Sequence, residues 1–284
     1  MSTVRPLSQT LLKVCGATQP RDIEAAAAAG ADCVGLWHGV PGGPSELALD
    51  GLAALVAAAR PAGLLPVLVT FLADPGELDR IVRGTGVAWV QLHAYQPPAV
   101  VRALREALPA EVGLVKVLHV DEGGGCVERP LIGAYERAGT DLFLLDTATG
   151  DGRIGSTGAC LDPVRLTALL PRLTRPFLLA GGLTPANRPA YEAVVGHSGF
   201  RGIDVDTAAR DRATGRFGVP EIAALARAWR TGTPRTAGTS RTTGTSRTTG
   251  ISRTTGTSRA AGTDLPAGTA GAAVPDLPRL ELSR

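Results

Sequence analysis

The sequence predicts an α/β protein with a single (β/α)8 TIM barrel followed by a disordered, low-complexity C-terminal tail. Eight short apolar segments alternate with longer segments in which Ala, Leu and Arg recur at helical spacing. The short segments are apolar almost throughout, which is typical of parallel strands covered on both faces. Eight such repeats in about 220 residues favour a closed barrel. An open doubly wound sheet is the alternative, although no G-x-G-x-x-G follows the first strand.

The predicted strands cover residues 11–15, 32–37, 64–71, 87–93, 113–119, 141–146, 176–180 and 200–205. The predicted helices cover residues 19–29, 46–60, 75–83, 97–108, 126–138, 163–170, 185–195 and 219–230. Three helices are predicted to begin where a capping side chain precedes a proline, at Asp74-Pro75, Asp162-Pro163 and Thr184-Pro185. Three are predicted to end at a glycine, at Gly30, Gly84 and Gly139.

Composition divides the chain into a lead (residues 1–10), the barrel (11–230) and the tail (231–284). The tail is mostly Thr, Ser, Gly, Arg and Pro, and four related six-residue units such as TSRTTG follow one another in it. These units lack the apolar positions of a solenoid core, so we expect disorder. The tail carries a net charge of +4 and the rest of the chain −1. We therefore expect no nucleic-acid binding by the barrel, while the tail is either a solvated extension or a weak anion or nucleic-acid tether.

The cysteine positions and the lengths of the apolar runs indicate the cellular compartment of the protein. Four cysteines, at positions 15, 33, 126 and 160, form no C-x-x-C pair and have no histidine at metal-ligand spacing. This argues against a metal site or a disulfide framework and favours a reducing cytoplasm. The first ten residues lack a signal-type apolar segment, and the longest apolar runs fall well short of about 18 residues. We expect a cytoplasmic protein with no membrane partner.

The carboxyl ends of barrel strands are where reacting groups of this fold lie. That rule selects Cys15, Trp37, His38, Gln91, His93, His119, Asp146, Asp204 and Asp206. Cys15 facing Asp146 across the barrel mouth pairs a candidate base with a candidate acid. After the seventh strand, Gly181 and Gly182 let main-chain N–H groups approach an anion, and a helix predicted from Pro185 adds its positive end.

Six segments, in order and spacing, resemble the motifs of phosphoribosylanthranilate isomerase. They are KVCGAT at 13–18, VQLH at 90–93, LLD at 144–146, GSTG at 155–158, LAGGLTPAN at 179–187 and GIDV at 202–205. The resemblance spans residues 11 to about 230. It implies an Amadori rearrangement of an aldose-amine to a ketose-amine, in tryptophan or related aromatic biosynthesis, without metal or organic cofactor.

The resemblance also implies roles for two residues. Asp146 protonates the furanose ring oxygen, and Cys15 removes the proton from C2′. This chemistry requires a partly ionised thiol and a partly protonated carboxyl, so their pKa values must shift in opposite directions. Lys13 lies two residues before Cys15 on the same strand face, and we expect it to favour the thiolate.

Two loops depart from the family's pattern. The family's Ser-Ser-Gly after the eighth strand, which completes a phosphate site, is replaced by DTA at 206–208, and its Ser-Pro-Arg after the second strand by GPS at 43–45. Arg153 is a candidate substitute for the missing arginine. A carboxylate repels a phosphate, so either Asp206 points away, Arg210 offsets it, or no phosphate binds. The expected substrate- and phosphate-binding residues are Gly181, Gly182, Asp204, Asp206, Thr207, Arg153 and His93.

Three functions stay open from the sequence. The first is the isomerase itself, acting on a small-molecule substrate as a monomer or homodimer. The second is a divergent barrel enzyme of specialised metabolism that uses Cys15 and Asp146 on a different substrate, phosphorylated or not. The third is a binding or scaffolding module whose Arg/Thr/Ser repeat is the interaction arm.

Overall fold

The computed structural model describes residues 10–148 and 160–230. In this part of the chain, eight parallel strands close into a barrel in chain order, with the first strand hydrogen-bonded to both the second and the eighth. The strands are β1 Leu11–Cys15, β2 Cys33–Trp37, β3 Leu65–Thr70, β4 Trp89–Leu92, β5 Gly113–Val120, β6 Leu142–Thr147, β7 Phe177–Leu179 and β8 Phe200–Val205. The predicted (β/α)8 barrel is confirmed. The predicted tail, nine residues of the lead and Arg153 lie outside the described residues.

Helices follow the strands around the outside of the barrel. They are α1 Pro20–Ala28, α2 Leu49–Ala59, α3 Pro75–Thr85, α4 Pro98–Ala107, α5 Ile132–Ala138, α6 Pro163–Thr167, α7 Glu192–Val195 and α8 Val219–Trp229. The predicted caps of α3 and α6 are confirmed, because Asp74 and Asp162 each accept a hydrogen bond from a first-turn backbone N–H. None of the described helices is long and apolar enough to cross a membrane.

The helix predicted over residues 185–195 begins later than expected. Thr184 and Asn187 exchange hydrogen bonds between side chain and backbone, of 2.9 and 3.2 Å, which is the reciprocal pattern of a capping box at Thr184. A turn then leads into a 3-10 helix, Arg188–Tyr191, and into the four-residue α7, which ends at Val195 as predicted. The Gly181-Gly182 turn is therefore not followed directly by an α-helix N-terminus.

Strand alternation decides which side chains enter the barrel. Leu12 and Val14 of β1 pack in the outer apolar layer against the helices, whereas Lys13 and Cys15 face inward. A lower interior layer includes Cys33, Val67, Trp89, Val115, Val117, Leu142, Leu144 and Leu178. Gly202 lets β8 approach β1 closely, because a Cβ there would overlap the carbonyl of Leu11.

Candidate active site

Cys15 ends β1 inside a buried polar group. The side chain of Cys15 is 7 % exposed, and its Sγ lies 3.2 Å from Lys13 Nζ and 3.2 Å from the indole nitrogen of Trp37. Lys13 Nζ also donates to Asp204 Oδ2 on β8, at 2.6 Å. Gly35, paired with Cys15 across β1 and β2, leaves room for the sulfur, since a Cβ at Gly35 would lie 2.5 Å from Sγ. The thiol thus borders a buried ion pair at the barrel mouth.

Burial dominates the electrostatics of the Cys15 thiol. It raises the pKa of Cys15 to about 12, although Lys13 and the Trp37 N–H act in the opposite direction. The carboxylates of Asp204 and Asp206 raise that pKa further. Lys13 stands where the sequence predicts, but its charge is shared with Asp204. The thiolate that the resemblance implies is therefore favoured by Lys13 and Trp37 and opposed by burial and the two carboxylates.

Asp146 lies near the end of β6, at the same end of the barrel as Cys15, and is 7 % exposed. Oδ1 accepts a hydrogen bond of 2.8 Å from the N–H of Thr147, and Oδ2 lies 3.4 Å from Nε2 of His93. Burial alone would raise the pKa of Asp146, but the contacts with His93 and Thr147 outweigh it and hold that pKa below its ordinary value. This direction is opposite to the one that the resemblance implies for Asp146.

Gln91 orients the imidazole of His93. With the Gln91 amide nitrogen 3.0 Å from Nδ1, that ring nitrogen is the acceptor, so the ring proton lies on Nε2 and faces Asp146. The Nε2 contact with Asp146 does not have hydrogen-bond geometry, and Nε2 has no hydrogen-bond partner among the described residues. His93 thus presents a buried donor towards the acid that the resemblance implies.

Asp204 lies between the group around Cys15 and the group around Asp146 in its electrostatic interactions. Burial raises the pKa of Asp204; Lys13 opposes this, and the negative charge of Asp146 adds to it. Its Oδ1 is buried and has no hydrogen-bond partner in the described part of the chain. Asp204 is therefore in ion-pair contact with Lys13 on one side and electrostatically coupled to Asp146 on the other.

The turn after β7 has the tight geometry expected of it. Gly181 and Gly182 have φ values of +81° and +61°, and a Cβ on Gly181 would lie 2.6 Å from the methyl carbon of Thr147. Asn187 donates to the Gly182 carbonyl at 2.9 Å. Because the α-helix begins only at Glu192, any anion here depends on main-chain N–H groups of the turn and on the loop after β8.

In that loop, Arg210 offsets the charge of Asp206. Arg210 Nε donates to Asp206 Oδ1 at 2.7 Å, and Nη2 donates to the Gly16 carbonyl at 2.9 Å. The guanidinium carbon lies 4.7 Å from the ring centroid of Phe217. This ion pair is the contact that one of the three alternatives raised by the DTA substitution requires, the offset of Asp206 by Arg210. Thr207 begins a short 3-10 turn after Asp206.

A polar cleft of about 300 Å³ opens beside this loop. It is lined by Thr18, Gln19, Asp22, Arg210, Thr214, Gly215 and Arg216. Ser45, which stands where the family has arginine, is buried beside Gly16. In the described part of the chain, no group of three or more His, Cys, Asp and Glu side chains is arranged to hold a metal ion.

Sequence reasoning missed Glu128, which follows β5 in a glycine-rich loop. Glu128 is 2 % exposed, accepts from His119 Nδ1 at 2.7 Å and lies 3.7 Å from Lys116 Nζ. His119 Nε2 in turn lies 3.1 Å from the carbonyl of His93. Glu128 therefore supports the wall that carries His93. No local signal distinguishes it from a solvated loop glutamate.

Comparison with known proteins covers most of the barrel. A profile of the N-(5'-phosphoribosyl)anthranilate (PRA) isomerase family matches residues 12–209. The enzyme of that name from Methanocella arvoryzae is 35 % identical over 178 residues, which are 63 % of this chain and 80 % of the relative. The one from Afipia carboxidovorans is 34 % identical over 223 residues, 78 % and 90 % of the two chains. The solved phosphoribosylanthranilate isomerase from Thermus thermophilus has a TM-score of 0.62 and 25 % identity, covering 76 % of this chain and 96 % of its own.

Proposed function

The chain belongs to the N-(5'-phosphoribosyl)anthranilate isomerase family, and we propose that it carries out that family's aldose-to-ketose rearrangement in tryptophan biosynthesis. The observation that carries the proposal is the convergence of Cys15 and Asp146 at one end of the barrel, within the matched residues 12–209. Each of the two side chains is buried beside a partner that lowers its pKa, Lys13 for the thiol and His93 for the carboxyl. Such perturbed pairs are typical of proton-transfer sites.

In the proposed reaction, Asp146 delivers a proton to the furanose ring oxygen and Cys15 accepts one from C2′. The pKa of the Cys15 thiol is raised and that of Asp146 is lowered, which is opposite to the charge distribution that the proposed reaction needs. Binding an anionic substrate beside Asp146 adds negative charge and displaces water, and both effects raise the pKa of that carboxyl. Substrate binding thus favours the protonated acid. The Cys15 proton then passes to the Asp146 carboxylate, so that the pair keeps one proton and the thiolate lies next to Lys13.

Two buried polar atoms without partners are suited to the sugar. Nε2 of His93 is a donor and Oδ1 of Asp204 is an acceptor, and neither has a hydrogen-bond partner in the described residues. We assign them to substrate hydroxyls or the ring oxygen, because a buried polar group left unpaired in the complex would be costly.

The phosphate is assigned to the two loops after β7 and β8. Main-chain N–H groups of Gly181 and Gly182, together with Thr207, approach it, while Arg210 offsets the charge of Asp206. Arg153 stays a candidate for the anthranilate carboxylate, and it lies outside the described residues.

We further propose a cytoplasmic enzyme that is a monomer or a homodimer. The four cysteines form no C-x-x-C pair in the sequence, which is typical of a protein from a reducing compartment. Sedimentation equilibrium of the full chain distinguishes the two assemblies, and a larger oligomer contradicts this part of the proposal.

Turnover of PRA by the purified full chain tests the function. Cys15→Ala and Asp146→Asn each remove one proton-transfer group, so kcat should fall by at least about 100-fold. Cys33→Ala, which removes a thiol from the lower barrel layer, should keep kcat within about twofold. Undetectable turnover by the wild-type protein, or full activity of Cys15→Ala, would reject the assignment.

A further inference from the structure

We propose that Trp37 is a positioning residue whose indole N–H holds the Cys15 sulfur and stabilises it as the thiolate. The inference rests on the proposed function for its catalytic meaning and on geometry for the contact itself. Trp37 ends β2, the strand next to β1, and is 8 % exposed. Its Nε1 lies 3.2 Å from Sγ.

The surroundings of the sulfur are complementary to an anion. Both hydrogen bonds that Sγ makes in the described part of the chain are donated to it, one by Lys13 and one by Trp37. A neutral thiol is a weak acceptor, whereas hydrogen bonds to an ionised group are roughly twice as strong. Indole can only donate, so Trp37 cannot accept the thiol proton. The two donors therefore stabilise S⁻ relative to the same buried site without them and oppose the effect of burial on the thiol.

The two donors are not equivalent. Lys13 Nζ is closer to Asp204 Oδ2, at 2.6 Å, than to the sulfur, at 3.2 Å, so the ammonium charge is largely used by the carboxylate. The charged groups that face the thiol are Lys13, Asp204 and Asp206, and the two carboxylates outnumber the single ammonium. The N–H of Trp37 makes its hydrogen bond to the sulfur alone within the described residues. It is the donor dedicated to Cys15.

The indole is held in place by its neighbours. Gly43 packs on its six-membered ring, where a Cβ at Gly43 would lie 3.0 Å from Cε3. The carbonyl of Trp37 accepts a hydrogen bond of 2.9 Å from the N–H of Leu47, which ties the β2 end to the following loop. Trp37 also packs with Val40 and Cys15 in a small apolar cluster at the mouth. Burial of the indole away from water strengthens the bond of its N–H to a charged sulfur.

Alkylation of Cys15 measures the contact without any substrate. The full-length protein is treated with iodoacetamide at pH 9, and modification is followed by mass spectrometry on the tryptic peptide 14–21, in which Cys15 is the only cysteine. Trp37→Phe keeps an aromatic ring and removes the donor. Loss of a charge-assisted hydrogen bond raises the thiol pKa by about one unit, and the thiolate fraction falls about tenfold. Higher nucleophilicity of the more basic thiolate offsets part of this, so we expect a three- to tenfold slower reaction.

A purely structural role predicts the opposite sign. Replacing indole by the smaller phenyl ring opens the mouth, which on its own accelerates alkylation. Trp89→Phe is the matched control, because Trp89 lies in the lower barrel layer, outside the cluster around Cys15, and its rate should equal that of the wild type. Equal or faster alkylation of Cys15 in Trp37→Phe overturns the proposal.

A second measurement applies if Trp37→Phe does not fold. The chain has three tryptophans, so ¹⁵N-labelled protein gives three indole N–H signals. Cys15→Ala should shift the indole signal of Trp37. The signal that disappears in Trp89→Phe is that of Trp89, so the two are not confused. An unchanged set of indole signals in Cys15→Ala refutes the contact.

The catalytic meaning is measured separately. In Trp37→Phe, kcat for PRA should fall about tenfold, and the acid limb of its pH profile should move up by about one unit. If Trp37→Phe is alkylated more slowly than the wild type but the wild type does not turn over PRA, the proposed function is rejected and the positioning role is kept. Normal alkylation with a lower kcat rejects the positioning role and keeps the function.

Discussion

Replacing Lys13 by methionine tests how much the buried ion pair between Lys13 and Asp204 stabilises the protein. The Nζ–Oδ2 distance to Asp204 is 2.6 Å, and the two side chains are 2 % and 6 % exposed. At an effective dielectric constant near 20, this separation corresponds to an attraction of about 6 kcal/mol. Asp204 Oδ1 already lacks a hydrogen-bond partner among the described residues, so Lys13→Met leaves a buried carboxylate without compensation. We expect a loss of about 3–5 kcal/mol in the free energy of unfolding at pH 7.

The pH dependence of that loss has a definite sign. Burial raises the pKa of Asp204 and Lys13 opposes the rise, so removing Lys13 moves that pKa further upward. A carboxyl whose pKa in the folded state exceeds its unfolded value takes up its proton preferentially in the folded chain, and stability falls as pH rises through this window. The deficit of Lys13→Met should therefore shrink as the pH is lowered from 7 towards 5.

Urea unfolding of a double-mutant cycle measures both effects. The variants are Lys13→Met, Asp204→Asn and the two combined, each unfolded at pH 5 and pH 7. The combined variant should recover at least about 2 kcal/mol relative to the sum of the single changes, because neither buried charge is then left alone. A coupling energy below about 1 kcal/mol, or a deficit of Lys13→Met that is the same at both pH values, refutes this account of the pair.

Two further predictions concern the barrel itself. Gly202→Ala places a methyl group against the Leu11 carbonyl and should lower the free energy of unfolding, measured with urea, by several kcal/mol. Gly84 lies in α3 with no atom within 4 Å of its Cβ position, so Gly84→Ala should raise the free energy of unfolding by up to about 1 kcal/mol. Similar effects of the two changes contradict the close approach of β8 to β1. Burial lowers the pKa of Lys116 to about 8 from 10.5. The wild type should therefore gain up to about 3 kcal/mol of stability over Lys116→Met as the pH rises from 8 to 10.5, measured by urea unfolding at both values, and a constant difference rules out the shift.

The amino-acid sequence alone determined the barrel and the residues at its mouth. Apolar strands, proline after a capping aspartate at α3 and α6, and the order of the motifs are local signals, and each depends on neighbours in the chain. Since strand alternation is local as well, it placed Cys15 and Asp146 on inward-facing strand ends. The start of the seventh helix was predicted three residues too early, because a turn follows the capping contact between Thr184 and Asn187 before the helical residues begin at Arg188.

Tertiary structure alone decided the charge states and the partners. Lys13 meets Asp204 from 191 residues away, and Trp37 meets Cys15 from 22 residues away. A pKa depends on desolvation and on every charge nearby, and both are set only when the strands close and water leaves the interior. The sequence could therefore nominate a thiol and a carboxyl, but their resting protonation and the donors around the sulfur follow from packing between strands that are distant along the chain.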